Sequence, residues 1–372
     1  MDRYHTWRGI AVLSITAISA CRSADIPPDT GIIPAPTAQI SLEEDLRLGT
    51  DDPLFASVGD MKADADGRIY VADVRDPSNI YKFTPDGELI GTVGGHGEGP
   101  GEYRYPSPVM PGPDSLVVWD SYSDHFVVYE PDGTFRRSSE RFTTDNPTSL
   151  NMIGQFGGGY FVSETPYFTP GIQEEDVGEV MYRIINGEGA LGDVFWSSGM
   201  SEFLIHSTSN SIMVSSQPFG RRTACTSARD RLYCVWTEAV EIHGFTADGD
   251  TLPPLRVTYD PLPISASARQ EALDGVRDEF RDTVTLPDTH PALSNVTGDD
   301  RGRLWLRMRI TEDDEVTDYW IVDPSDRSVV STRVDGNMSL TSVEGGFAYG
   351  RLTTPEGEIL AVRYRIGEGP PA

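Results

Sequence analysis

The chain has 372 residues, with 38% hydrophobic and 24% charged side chains, and Asp plus Glu outnumber Lys plus Arg by 58 to 30. The formal charge of −28 at neutral pH excludes nucleic acid as a partner, because a phosphate backbone needs a basic footprint. An acidic surface of this kind favours solubility and attracts divalent cations or basic partners.

Arg3 and Arg8 give the N-terminus a basic start, Gly9–Ala17 is a short apolar run, and Ile18-Ser19-Ala20-Cys21 places small residues before a cysteine. The run falls short of the about 20 residues that cross a bilayer, so it reads as a targeting segment. It resembles a bacterial lipoprotein signal peptide with a lipobox. That resemblance implies removal of residues 1–20 and lipid on Cys21. With Arg22 rather than Asp next, it further implies anchoring at the outer membrane. An ordinary secretory signal with an incidental Cys21 is the alternative. Residues 21–39 include Pro27, Pro28, Pro34 and Pro36 and little apolar content, which predicts an extended, disordered tether. No later apolar run approaches spanning length.

Asp66–Gly95 reads as strand, loop, strand, tight turn, strand. Ile69-Tyr70-Val71 follows the turn pair Asp66-Gly67, a second run holds Ile80, Tyr81 and Phe83, and Thr84-Pro85-Asp86-Gly87 closes it before Leu89–Val93. Pro presets φ for a turn and Gly accepts positive φ. Strands joined this tightly must be antiparallel neighbours. The unit returns with Leu116, Tyr160, Leu232, Leu304 and Phe347 in the place of Ile69. Such a meander cannot bury both faces alone, so the repeats must stack. The prediction is an all-β fold over residues 40–372, a six-bladed β-propeller of four-stranded antiparallel blades. The last copy lacks a fourth strand, which Ile40–Leu48 would supply.

Two gaps between units carry insertions. Ser197–Ser216 is rich in Ser and Asn and has no readable pattern. The second has apolar residues at helical spacing, Ala268, Ala272, Leu273, Val276 and Phe280, behind Ser265 as a cap, which predicts one helix near 265–281. In RTACTSARDRLYCVW, a turn at Arg229-Asp230 would set Cys225 opposite Cys234 on paired strands. An exported chain keeps disulfides, so a Cys225–Cys234 bridge is expected, with two buried thiols as the alternative.

Gly67–Asp73, the Asp-Gly turns at Asp86-Gly87 and Asp132-Gly133, the linker Gly94–Tyr103 and Gly302–Arg307 are similar to NHL-type repeats. More closely, they resemble bacterial six-bladed β-propeller lipoproteins with NHL-like repeats. The resemblance implies the fold and no single activity, since propellers host enzymes and binding modules alike.

Gly94–Gly101 has no Lys-Ser/Thr and no following helix, so it reads as an inter-blade connector and not as a phosphate loop. Asp64-Ala65-Asp66-Gly67 starts like a calcium loop, but Arg68 and Ile69 occupy ligand positions. Asp73, Asp120 and Glu164 share one offset from their anchors, with Trp236, Met308 and Arg351 at that offset in the other units. These acids could hold a metal, with calcium the leading alternative to no cofactor, or could fix the following loop by accepting backbone N–H groups.

The arginines Arg75, Arg104, Arg221, Arg222, Arg307, Arg309 and Arg351 fall at strand ends that converge on one mouth of a propeller. Two readings stand. Either they pair with nearby acids and merely stitch loops together, or they line a pocket for an anionic ligand or peptide terminus. That pocket would be rimmed by Tyr103, Tyr105, Tyr122 and Trp236. The candidate mouth is Asp73, Arg104, Asp120, His125, Glu164, Arg222, Trp236, Arg307 and Arg351, with no catalytic residue assigned. The expected function is a lipid-anchored, monomeric cell-envelope module that binds a protein or an anionic small molecule. The alternative is a metal-dependent hydrolase or lyase, lactonase-like, working at the channel mouth.

Overall fold

Six four-stranded antiparallel sheets account for most of the chain, and their innermost strands touch one another in a closed cycle. The structure, a computed structural model, describes residues 32–50, 55–75, 77–144, 148–172, 177–312 and 315–367. The expected signal peptide, Cys21 and residues 22–31 lie outside the described residues.

In order, the innermost strands are Val58–Ala63, Pro106–Pro111, Thr148–Phe156, Thr223–Ala228, Leu293–Gly298 and Asn337–Glu344. Each begins a blade that meanders outward, so the fold is a six-bladed β-propeller. The anchors Ile69, Leu116, Leu232, Leu304 and Phe347 lie at or one residue inside the start of second strands, as does Tyr160 in Gly159–Pro166. Ile69–Asp73 is buried at every position. Both faces of a blade are covered by its neighbours, so its strands read as apolar runs without alternation.

The core is correspondingly divided. Met61, Ile69, Val71 and Phe83 of blade 1 pack against Tyr349 and Ala361 of blade 6. Tyr70, Ala72 and Ile80 pack on the other side with Val118, Val127 and Tyr129 of blade 2. The remaining contacts between adjacent blades are filled in the same way. Burying one such Ile or Val contributes about 1.5–3 kcal/mol.

The ring closes with the N-terminal strand Leu42–Leu48, which pairs antiparallel with Ile359–Ile366 as the outer strand of blade 6. Gly87, at φ 90°, sits so close to this strand that a Cβ would meet Leu46 Cδ1 at 2.8 Å. The expected tether needs correction. Residues 32–39 are packed on the propeller, with parallel bridges Ile33–Val257 and Gln39–Ser331, and Ile33 is buried. One apolar side chain and the free edges of blades 4 and 5 suffice to hold a Pro-rich segment that composition alone reads as disordered.

The expected helix is also shorter. It runs over Ala266–Asp274, with the Ser265 hydroxyl accepting from Ala268 N–H, and stops at Gly275. Leu273 is exposed, whereas Val276 and Phe280, beyond the helix, are buried against Leu204. The apolar spacing was shared between a helix and the turn of 3-10 helix at Asp278–Phe280. The first insertion contains a hairpin, Phe203–Ser207 with Ile212–Ser216. Cys225 and Cys234 lie directly opposite on the first two strands of blade 4 and are joined by a disulfide.

Candidate functional site

Each second strand ends where its innermost strand begins, and this end of the ring is the mouth. Three acids end up there. Asp73 accepts the N–H groups of Ala56 (2.8 Å), Ser57 (2.9 Å) and Arg75 (3.3 Å). Asp120 accepts those of Tyr105 (2.9 Å), Arg104 (3.2 Å) and Tyr122 (3.2 Å). Glu164 takes Arg183 Nε at 2.6 Å and the Thr148 hydroxyl at 3.1 Å. All three are buried, and their oxygens face the chain's own donors. In blade 4, Thr237 does the same work beside Trp236, accepting Arg222 N–H at 3.0 Å. Trp236 is half-buried, and His125 lies opposite Asp120 in the ladder. Neither lines the cavities described next.

The arginines divide into two groups. Arg104 ion-pairs with Glu98 at 2.9 Å and stacks over Tyr122 at 4.8 Å, so its charge is answered locally. Arg222 and Arg307 meet at one cavity of about 370 Å³ between blades 4 and 5. Arg222 Nη2 donates to the Ser294 carbonyl at 2.5 Å, and Arg307 Nη2 donates to Asn337 Oδ1 at 2.7 Å. Both guanidiniums are thus aimed by neutral acceptors and keep their charge. Among the described residues, no Asp or Glu lines the cavity. An Arg fork fixed in this way, with donors to spare, suits a carboxylate or phosphate.

The apolar side of this cavity comes from residues that the repeats did not reveal. Phe219 and Gly220 arrive from the stretch that joins the first insertion to blade 4, and His290 and Pro291 from the second insertion. Phe219 adopts a positive φ of 56°, and its ring meets His290 edge-on at 4.9 Å. Arg221, buried, ties the insertions together by donating to the carbonyls of Phe219 and Thr289, each at 3.1 Å. His290 Nε2 donates to Glu312 Oε1 at 2.7 Å. That bond, helped by the Ser265 N–H, holds the Glu312 carboxyl down at about 2. The Arg221-Arg222 pair, two residues past Phe219, was the one sequence-local hint available.

Arg351 belongs to a second space, the central channel, a cavity of about 500 Å³ bounded by all six innermost strands. Among the described residues the Arg351 guanidinium has no hydrogen-bond or ion-pair partner. Tyr105 also lines this space, whereas Tyr103 is not a rim residue. It is fully buried, with its hydroxyl bonded to Val93 O and Ile80 N–H. Asp60 crosses from blade 1 to blade 2 by accepting Val109 N–H at 2.9 Å, and burial pushes its carboxyl up. Ser342 and Thr341 bond Met61 O from blade 6. The channel wall is therefore laced by side chain-to-backbone bonds between neighbouring blades.

Asp64 accepts from Arg68 Nε and N–H, Asp66 N–H and the Tyr70 hydroxyl, and Asp299 repeats this with Arg303 and Trp305. The Asp-x-Asp-Gly-Arg and Asp-Asp-Arg-Gly-Arg turns are closed on themselves. Among the described residues, no group of three or more His, Cys, Asp or Glu is placed to hold a metal ion. No described helix is long and apolar enough to cross a membrane.

Residues 46–148 match a protein-family model described as a 6-bladed beta-propeller. No curated protein matches the chain in sequence. A solved structure of a duf4221 family member from Bacteroides vulgatus is similar at 11% identity and a TM-score of 0.55, covering 89% of this chain and 99% of that one. A Bacteroides fragilis protein described as a candidate exported protein is similar at 13% identity and a TM-score of 0.51, covering 91% and 100%. Virginiamycin B lyase from Staphylococcus aureus, at 11% identity over 87% and 99% of the chains, has a TM-score of only 0.44 and carries no argument. At these identities the likeness is one of fold.

Proposed function

We propose that the chain is an exported, lipid-anchored propeller of the cell envelope that binds a small anionic ligand at the mouth cavity between blades 4 and 5. One observation carries this reading. Arg222 and Arg307 converge on a cavity that no Asp or Glu among the described residues lines, each oriented by a neutral acceptor, in a chain of formal charge −28. Guanidiniums that served only to stitch loops would be answered by carboxylates, as Arg104 and Arg183 are. Phe219, Leu293 and Met308 add an apolar wall, so the preferred ligand joins an anionic head to an apolar body.

The competing reading, a metal-dependent hydrolase or lyase, needs converging ligands at the mouth. The acids nearest to that requirement, Asp73, Asp120 and Glu164, are occupied by donors of the chain itself. This favours binding over bond making.

The test is thermal denaturation of the protein with acetate, succinate, citrate, phosphate and glycerol phosphate. At least one should raise the midpoint of the wild type and leave Arg222→Gln/Arg307→Gln unmoved. Equal response of the two proteins would refute the mouth as the site. The envelope assignment has a separate check, the intact mass of the protein extracted from its own host. A diacylglycerol-modified Cys21 at the N-terminus is expected, and an unmodified chain starting elsewhere would contradict it.

A further inference from the structure

A larger space lies away from the mouth, in the crevice between blades 2 and 3. Its volume is about 650 Å³. Blades 2 and 3 pack tightly near the axis through Trp119, Leu150 and Val162. Farther out they part. The outer strand of blade 2 is only four residues, Phe135–Ser138, exposed throughout, and its register slips between Val128 and Tyr129.

The floor of the crevice is aromatic. Phe126 lies 4.5 Å from Tyr160 and 5.6 Å from Phe142, centroid to centroid, and all three line the space. Above this floor stand Arg136, Arg137 and Arg141, with Glu140 and Glu188 as the acids of the lining. Arg137 pairs opposite Val128 in the ladder, which also lines the crevice, so its side chain shares that face. Among the described residues its guanidinium has no hydrogen-bond or ion-pair partner. Arg136 and Arg141 reach Glu130 and Asp124 only at 3.6 Å, with the arginine side chains half or more exposed. Pairs of that kind hold their partners weakly. Three cations within six residues, over three rings, are unusual in so acidic a chain and are not needed to hold the blades together.

We propose that this crevice is a second ligand site, for a small aromatic anion whose ring lies on Phe126, Phe142 and Tyr160 and whose carboxylate, sulfate or sulfonate head is held by Arg137 with Arg136. The site is independent of the mouth cavity and shares no residue with it. Ring stacking supplies shape selection and the guanidiniums supply the charge requirement.

The probe is 8-anilinonaphthalene-1-sulfonate, followed by its fluorescence. The wild type should show saturable binding at one site. Arg136→Gln/Arg137→Gln, a pair of exposed side chains whose loss leaves the fold intact, should weaken binding about tenfold or more, the loss expected for a charge-assisted hydrogen bond. Arg222→Gln/Arg307→Gln should bind as the wild type does. Unsaturable binding or none, or binding unaffected by the first pair and abolished by the second, would overturn the proposal. The last result would move the probe to the mouth and leave that assignment standing.

Discussion

Asp120 shows how much one side chain does at the mouth. Its carboxylate closes three backbone N–H groups in two loops while buried. Those donors would otherwise be stranded away from water, at about 1–3 kcal/mol for each one left unsatisfied. Asp120→Ala is therefore expected to cost about 3 kcal/mol by chemical denaturation, and Asp120→Asn, which retains one acceptor oxygen, clearly less. Equal loss in both would mean that acceptance of N–H groups is not its role. The sequence placed Asp73, Asp120 and Glu164 at one height correctly from their common offset. It could not decide between metal and loop, because the partners are backbone groups, which no sequence pattern displays.

At the scale of elements, the insertions matter most. The segment between blades 4 and 5 is tied down by Arg221 at Thr289, by Gln217 at Thr285 and by Glu312, which accepts from both His290 and Ser265. Glu312 has its carboxyl depressed from 4.5 to about 2. A group whose folded-state value is lowered stabilises the fold above its ordinary range, and that contribution is lost as pH falls. The bond should weaken as pH drops from about 4.5 toward 2. Limited proteolysis by pepsin across that interval should show cleavage within residues 257–292 rising faster in the wild type than in Glu312→Gln. In the variant the acid-dependent step is already absent. Identical pH dependence in the two would remove Glu312 from this role. The early stop of the helix at Gly275 belongs here too. Val276 and Phe280 continue the apolar spacing, but packing on Leu204 draws them out of the helix, a tertiary choice that local periodicity cannot register.

For the whole molecule, closure explains why the fold was readable. Every blade is covered on both sides, so Ile69–Asp73 and its relatives read as apolar runs between Asp-Gly turns. The missing fourth strand of the last blade pointed back to Leu42–Leu48. The mouth cavity was readable only in part. Arg222 and Arg307 stood out as cations in an acidic chain, but the wall that makes them a site, Phe219 and His290-Pro291, comes from the two stretches that break the repeat. The crevice between blades 2 and 3 was hidden for a related reason. Arg136 and Arg137 lie on an exposed outer strand and Arg141 just beyond it, and only the parting of two blades gives them a floor.

We propose above all that the mouth cavity holds an anion through Arg222 and Arg307. Calorimetric titration of the anion that most raises the denaturation midpoint tests it directly. One site per chain is expected, with affinity falling about tenfold or more in Arg222→Gln/Arg307→Gln and falling with added salt. Unchanged affinity in that variant, or no anion bound by the wild type, would contradict it.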